Sequence, residues 1–391
     1  MKDIQQKKPK IAILFPAFFG GGAEAVCAWI LQSIQNLYDL ELITFSSLNV
    51  EELNVQYGTE INSDKVKIIK IITSWPLKGM LTNSHSMFTL RHHLLMRHFK
   101  RHLLDNYDLA ISAFNEMDLG KPGIQYIHYP IFGEAHDAAR QLAEYPDSTL
   151  RRIYRKMCFS FSAFSQDNMR KNFTLVNSKW TGNIVSKLYN IDTTVVYPPA
   201  TKEYITSIPW ELRENGFVMV SRIVQEKRIE VAIAILSEVR KRGHSVTLHI
   251  AGEVGEPKYW NKLLDATKDQ EWINWEKQLP REKYMNLLSR NRYGIHAKKN
   301  EPFGIGIAEM VESGCIPFLP ADGGQVEVIE GLDWLVWTSE EDAVAKICTL
   351  LSSQKLRKTT IDALDLKKRY FLSDQFVAEI QTAVSQFISE R

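Results

Sequence analysis

The most constraining stretch of this chain is Lys298 to Gly331, KKNEPFGIGIAEMVESGCIPFLPADGGQVEVIEG. A polar loop carries Glu301, and Pro302 leads into a Gly-x-Gly turn at Gly304 to Gly306. Ile307, Met310 and Val311 then recur at helical spacing until Gly314 ends the run. The apolar run Cys315 to Leu319 reads as a strand, and Asp322-Gly323-Gly324 as a turn that opens another helix. Glycines at a helix mouth leave backbone N–H groups pointing outward. Together with the positive end of the helix dipole, those groups favour a diphosphate. Glu309 lies eight residues after Glu301, inside the first helix. Two carboxylates flanking an anion site cannot both be phosphate ligands, since like charges repel. They suit hydroxyls, because a carboxylate accepts hydrogen bonds from the vicinal diols of a ribose or a hexose. The stretch reads as a site for a sugar carried on a nucleoside diphosphate.

The segment Glu301-Pro-Phe-Gly-Ile-Gly-Ile-Ala-Glu309, with its small-residue helix end and downstream Gly-Gly, resembles the Glu-x7-Glu signature of retaining glycosyltransferases of family 4. That resemblance implies an α/β chain of the GT-B fold, two Rossmann-like domains with parallel sheets facing a central cleft. The length of 391 residues is also too great for one ordinary core. The expected division is an acceptor-side domain of residues 1–200 plus 373–391, with a final helix returning to it, and a donor-binding domain of residues 201–372. The interval Ala200 to Asn215 has the composition of a linker.

Other segments fit the same pattern. Ile11 to Phe15 is a continuous apolar run, as in a parallel strand buried on both faces, and Gly20-Gly21-Gly22 follows before a helix from Ala23 to Leu37. Gly20 and Gly21 loosely match a family loop that sits over the donor diphosphate. Each also serves equally as a tight turn needing positive φ. The strand Gln125 to Pro130 places His128 at its carboxyl end, where open parallel sheets bind ligands. Tyr-Ile-His-Tyr-Pro resembles a family segment whose histidine approaches the transferred sugar. Without that match, His128 reads as a structural hydrogen-bonder. Arg222 and Lys227 follow the strand Gly216 to Ser221 and precede the helix Ile229 to Arg242. Two cations at the positive end of a helix repel it unless an anion lies between them, and their spacing resembles the family's clamp on the leaving diphosphate. The strand Val246 to Gly252 ends in a glycine turn where the family holds the nucleoside base.

The resemblance therefore implies a catalytic set of His128, Arg222, Lys227 and Glu301. The donor-binding set is Gly20, Gly21, Arg222, Lys227, Gly252, Phe303, Gly304, Ile305, Gly306, Ile307 and Glu309. Asp-x-Asp, the metal-holding motif of the other main glycosyltransferase fold, occurs nowhere in the chain. Cations and helix-end amides could stabilise the leaving group instead, so the expectation is no cofactor and no metal, with the nucleotide sugar as co-substrate and either UDP or GDP as its carrier. The expected acceptor is a glycan or lipid-linked oligosaccharide in polysaccharide biosynthesis. Two other readings use the same donor residues: a GT-B-like epimerase or hydrolase, and a catalytically silent nucleotide-sugar-binding protein.

A net charge of +2 argues against wholesale nucleic-acid binding. The cysteines Cys27, Cys158, Cys315 and Cys348 are scattered without metal-ligand spacing, as in a reducing compartment. No apolar run approaches the roughly 20 residues of a membrane span, and the N-terminus does not read as a signal peptide. The expectation is a cytoplasmic protein. The segment 90–104, LRHHLLMRHFKRHLL, reads as a basic amphipathic helix without an acid. It would either lie on an anionic membrane as a peripheral anchor or form the solvated face of an ordinary domain helix. Arg151, Arg152, Arg155 and Lys156 form a second basic cluster in the same half.

Overall fold

The structure, a computed structural model, describes residues 8–71, 87–130, 149–200 and 204–390. It divides into two compact units, Met1–Tyr197 with Asp374–Arg391, and Pro198–Ser373. In the first unit seven strands form one sheet: β1 (Lys10–Leu14), β2 (Asp39–Thr44), β3 (Val66–Lys70), β4 (Leu109–Ser112), β5 (Ile124–Ile127), β6 (Phe173–Val176) and β7 (Thr194–Val195). In the second unit six strands form another: β8 (Glu214–Val220), β9 (Thr247–Ala251), β10 (Ile273–Lys277), β11 (Asn291–Ile295), β12 (Ile316–Pro320) and β13 (Val336–Trp337).

The sheet orders are β3-β2-β1-β4-β5-β6-β7 and β10-β9-β8-β11-β12-β13. Every pairing in them is parallel. Each order runs outward from its first strand and then resumes on that strand's other side, the doubly wound pattern of a Rossmann-like sheet. The switch point lies between β1 and β4 in one unit and between β8 and β11 in the other. Parallel strands covered on both faces must be apolar on both faces. Ile11, Ala12, Ile13 and Leu14 are accordingly all buried, as are Phe217, Val218 and Met219. The expected α/β class with two Rossmann-like parallel-sheet domains is the one observed.

The helix expected to open at Gly323-Gly324 is present as a short 3₁₀ segment, Gly324–Ile329. One expectation needs correction. The basic helix runs Phe88–His102, and Arg91, His92 and His93, read from the sequence as filling its polar side, are buried with Leu95, Met96 and Phe99. The cause is packing on two sides. Leu95, Met96 and Phe99 join the core above Leu14 and Phe45, while the helix Thr149–Ser162 covers the flank. The polar groups find partners inside. The Arg91 guanidinium lies 4.5 Å over the Phe19 ring, His92 Nε2 donates to the Glu116 carbonyl at 3.0 Å, and His93 Nδ1 meets Ser162 Oγ at 2.6 Å.

Burial pushes His92 down to about 4 and His93 down to about 3. Both are therefore neutral when folded, whereas the unfolded chain takes up protons below about 6.5. Folded pKa values depressed in this way make stability fall as pH drops from about 6.5 towards 4, because the unfolded state binds more protons there. We expect a loss on the order of 3 kcal/mol across that window. Chemical denaturation at pH 7, 6, 5 and 4.5 measures it, and a midpoint constant from pH 7 to 5 would contradict the burial of neutral imidazoles.

Candidate functional site

At the switch point of the second sheet, chain leaves β8 and β11 in opposite directions and opens a crevice above their carboxyl ends. The loop after β8 delivers Arg222, Glu226 and Lys227, and the loop after β11 delivers His296, Lys298 and Glu301. These loops meet at one carboxylate oxygen. Glu301 Oε2 accepts from Lys227 Nζ at 2.6 Å, and His296 Nε2 and Lys298 Nζ lie 3.4 and 3.6 Å from the same atom. Lys298 Nζ also pairs with Glu226 Oε1 at 2.5 Å. The other Glu301 oxygen, Oε1, takes part in none of these contacts.

The electrostatics follow from that crowding. Burial alone would raise the Glu301 carboxyl, but the charges of Lys227 and Lys298 and the His296 hydrogen bond outweigh it and hold it well below the usual carboxylate range. Burial lowers Lys227 and His296, while Glu301 opposes that fall in each. Glu301 thus remains an acceptor-only group near neutral pH.

The backbone explains why the sequence turns here. Gly304, at φ 87°, precedes the helix Ile305–Glu312, whose first amides at Ile305 and Gly306 precede any i→i−4 partner. Gly252 passes so close to the end of β8 that a Cβ there would sit 1.8 Å from the Ser221 carbonyl oxygen. Gly323, at φ 77°, lies under Glu301, and a Cβ would fall 2.5 Å from the Glu301 carbonyl oxygen and 2.7 Å from its nitrogen. The next amide, Gly324 N–H, donates to that carbonyl at 2.8 Å. Gly323→Ala is therefore expected to destabilise by about 2 kcal/mol or more through positive-φ strain and backbone collision. It should also displace Glu301, so donor-dependent turnover in the folded fraction should fall. Turnover per folded molecule equal to wild type would contradict the support assigned to Gly323.

The remaining donor candidates are placed differently. Glu309 is buried and already held, by Arg281 Nη1 at 2.6 Å and the Tyr284 hydroxyl at 2.5 Å, one partner on each oxygen. Arg222 is exposed. The Phe303 side chain is buried, its ring 5.6 Å from that of Phe371, and Ile307 is buried too. At those two positions only backbone could face a ligand.

In the first unit, the glycine loop carries a correction. The amides of Phe19 and Gly20 both donate to Glu24, at 2.5 and 2.9 Å, and the Tyr57 hydroxyl donates to the same carboxylate at 2.7 Å. Glu24 is buried. An internal carboxylate therefore takes the anion position that the loop around Gly20 and Gly21 was expected to offer a phosphate. His128 lies one residue beyond β5. Its amide donates to Asn115 Oδ1 at 2.8 Å, its carbonyl accepts from Asn177 Nδ2 at 2.9 Å, and Nε2 bonds the Ala113 carbonyl at 3.1 Å. A carbonyl only accepts, so Nε2 carries the proton and Nδ1 keeps its lone pair. Burial pushes the imidazole down to about 4, so it is neutral at pH 7.

Sequence reasoning did not single out Glu24, Asn115, Glu226, His296, Arg281 and Tyr284, which the structure places in contact with the candidate residues or their partners. His296 was within reach, because it follows a strand end just as His128 does. Among the described residues, no three or more His, Cys, Asp or Glu side chains are grouped to hold a metal ion. Among them, no helix is long and apolar enough to cross a membrane.

Residues 201–364 match the family model described as Glycosyl transferases group 1. That span, less than half of the chain, is what is similar to a group 1 glycosyltransferase. It contains the whole Lys227, Glu301, Glu309 and Gly304 arrangement. Among relatives, a GDP-Man:Man(3)GlcNAc(2)-PP-Dol alpha-1,2-mannosyltransferase of Eremothecium gossypii is 24% identical over 294 residues, which is 68% of this chain and 49% of that protein. The Dictyostelium discoideum protein of the same name is 21% identical over 421 residues, covering 94% of this chain and 83% of that one. The chain spans about half the length, 49% and 44%, of the first relatives it matches. A crystal structure of Anabaena Alr3699/HepE in complex with UDP-glucose shares the fold at a TM-score of 0.68 and 16% identity, over 97% of this chain and 100% of that one.

Proposed function

We propose that this protein is a retaining, metal-independent glycosyltransferase of family 4 that moves a hexose, mannose first among candidates, from a nucleoside diphosphate to a lipid-linked oligosaccharide. The observation that carries the reading is the divided carboxylate of Glu301. One oxygen is fixed by Lys227, with His296 and Lys298 beside it, and the other is left to accept from a sugar hydroxyl. The names of the mannosyltransferase relatives support the sugar and acceptor class.

In this reaction the bond from the anomeric carbon to the diphosphate breaks, and the acceptor oxygen bonds to the same face of the sugar. The acceptor's proton passes to the departing phosphate. Lys227, Arg222 and the amides of Ile305 and Gly306 neutralise the leaving group. Glu301 orients the sugar and Glu309 takes the ribose hydroxyls. Neutral His128 keeps its Nδ1 lone pair free to accept a hydrogen bond.

The test is transfer of labelled mannose from GDP-mannose to a lipid-linked oligosaccharide in EDTA, with UDP-glucose as competitor donor. Transfer with retained anomeric configuration is the expected result. Strict dependence on added divalent ion would remove metal independence. Turnover to water alone, or nucleotide binding without turnover, would replace a transferase by a hydrolase or a binding protein.

A further inference from the structure

Ten large hydrophobic side chains are exposed among the described residues, and four of them, Leu150, Ile153, Met157 and Phe161, lie on the helix Thr149–Ser162. Their exposures are 79%, 51%, 66% and 44%. The spacing of 3, 4 and 4 residues puts them in one stripe along the outside of the helix. The opposite face is satisfied: Arg155, Cys158 and Ser162 are buried, and the Tyr154 hydroxyl accepts from the Leu90 amide at 3.1 Å. The stripe is therefore surplus to the packing that holds the helix.

The rim has one sign. Beside the stripe runs a second exposed row, Thr149, Arg152, Lys156 and Ser160. The Arg97 guanidinium lies 4.3 Å over the Phe161 ring at the stripe's end. Neither this helix nor its neighbour Phe88–His102 contains a single Asp or Glu. Contiguous exposed apolar surface of this kind marks a docking face. A second copy is a poor occupant, because a two-fold interface would set one acid-free basic rim against another. Hydrocarbon for the stripe and negative charge for the rim occur together at an anionic lipid surface, where such a helix lies in the plane of the interface.

We infer that the helix Thr149–Ser162, not the segment 90–104, docks this protein on an anionic bilayer through Leu150, Ile153, Met157 and Phe161, with Arg97, Arg152 and Lys156 on the headgroups. The choice of a bilayer rests in part on the lipid-linked acceptor proposed above. The helix Phe88–His102 serves as the support, since its own apolar residues face the core.

Flotation of the full chain with vesicles of phosphatidylcholine containing phosphatidylglycerol, and with phosphatidylcholine alone, tests this. Wild type should float with the anionic vesicles at low salt and only weakly with the neutral ones. The double variant Ile153→Glu/Met157→Glu, altered only at exposed positions, should lose about tenfold or more in partitioning. Arg152→Gln/Lys156→Gln should lose several-fold and flatten the salt dependence. Failure of wild type to float would overturn the proposal, as would equal flotation of the acidic variant. Dissociation of a wild-type dimer by that variant would assign the stripe to a second copy. Slow thiol labelling of Ile153→Cys in the free protein would assign it to the chain's own cover. Thermal shift with GDP and UDP is read in parallel. Lost flotation with nucleotide binding intact refutes the surface alone, whereas absent nucleotide binding refutes the donor reading alone.

Discussion

Replacing Lys227 by alanine is expected to lower kcat by about 10²–10³-fold, the loss seen when one fixed group facing developing negative charge is removed. Its ammonium is the closest cation to Glu301, at 2.6 Å, and the site shields both partners from water. Removing one member of such a pair usually costs about 3–5 kcal/mol. Here the low end applies, because His296 and Lys298 still face the same oxygen at 3.4 and 3.6 Å. Activity should thus fall far more than stability. Steady-state kinetics beside a denaturation curve separates the two. Glu301→Gln makes the complementary case: it keeps the shape, removes the charge that holds Lys227, and should reduce turnover by a similar order. A Lys227→Ala enzyme with near-normal kcat would mean that the diphosphate leaves from somewhere else.

The second large effect belongs to Glu309, and it should appear first in stability. Its carboxylate joins Arg281 at the start of the helix Arg281–Arg290 to the helix Ile305–Glu312, with Tyr284 on its other oxygen. Glu309→Ala takes the carboxylate from a largely buried guanidinium, so a loss of about 3 kcal/mol is expected. Tyr284→Phe removes one hydrogen bond and should cost only about 1 kcal/mol. If the remaining lone pairs of Glu309 also receive ribose hydroxyls, Glu309→Gln should raise the donor KM while leaving kcat nearly unchanged, the mark of binding shared by ground and transition states. A double-mutant cycle of Arg281→Met with Glu309→Met measures the pair. Coupling below about 0.5 kcal/mol would contradict a tightly held ion pair.

How much of this was legible depended on the kind of interaction. Strands buried on both faces, such as Ile11 to Leu14, announce themselves as apolar runs, and glycines at helix mouths mark where backbone must approach closely. Glu301 and Lys227 could be singled out as candidates because one sits in a glycine-rich motif and the other at a helix mouth that disfavours cations. Their direct pairing was not readable, since it joins loops 74 positions apart and depends on which strands the topology makes neighbours. Glu24 was hidden by its setting, as an acid in a helix's first turn has an ordinary explanation there. Arg91, His92 and His93 misled for the converse reason: periodicity assigns polar residues outward, and only the covering helix Thr149–Ser162 makes their burial tolerable. The four exposed apolar residues on that helix were equally invisible, because a hydrophobic stripe in sequence does not say whether anything covers it.

The course of the main chain has a consequence for assembly. The second unit interrupts the first, and its entry and exit run side by side: Ala200 bridges Leu372, and the Ala200 amide donates to the Phe371 carbonyl at 2.8 Å. Inserted modules whose two ends meet can be removed without pulling the host apart. The host, in turn, is finished late. Phe376, Ile380 and Val384 of the helix Ser373–Ser389 fill its core, and Gln381 Nε2 reaches the Ser33 carbonyl at 2.8 Å. During synthesis the interrupting module therefore emerges from the ribosome in full while its host still lacks one wall.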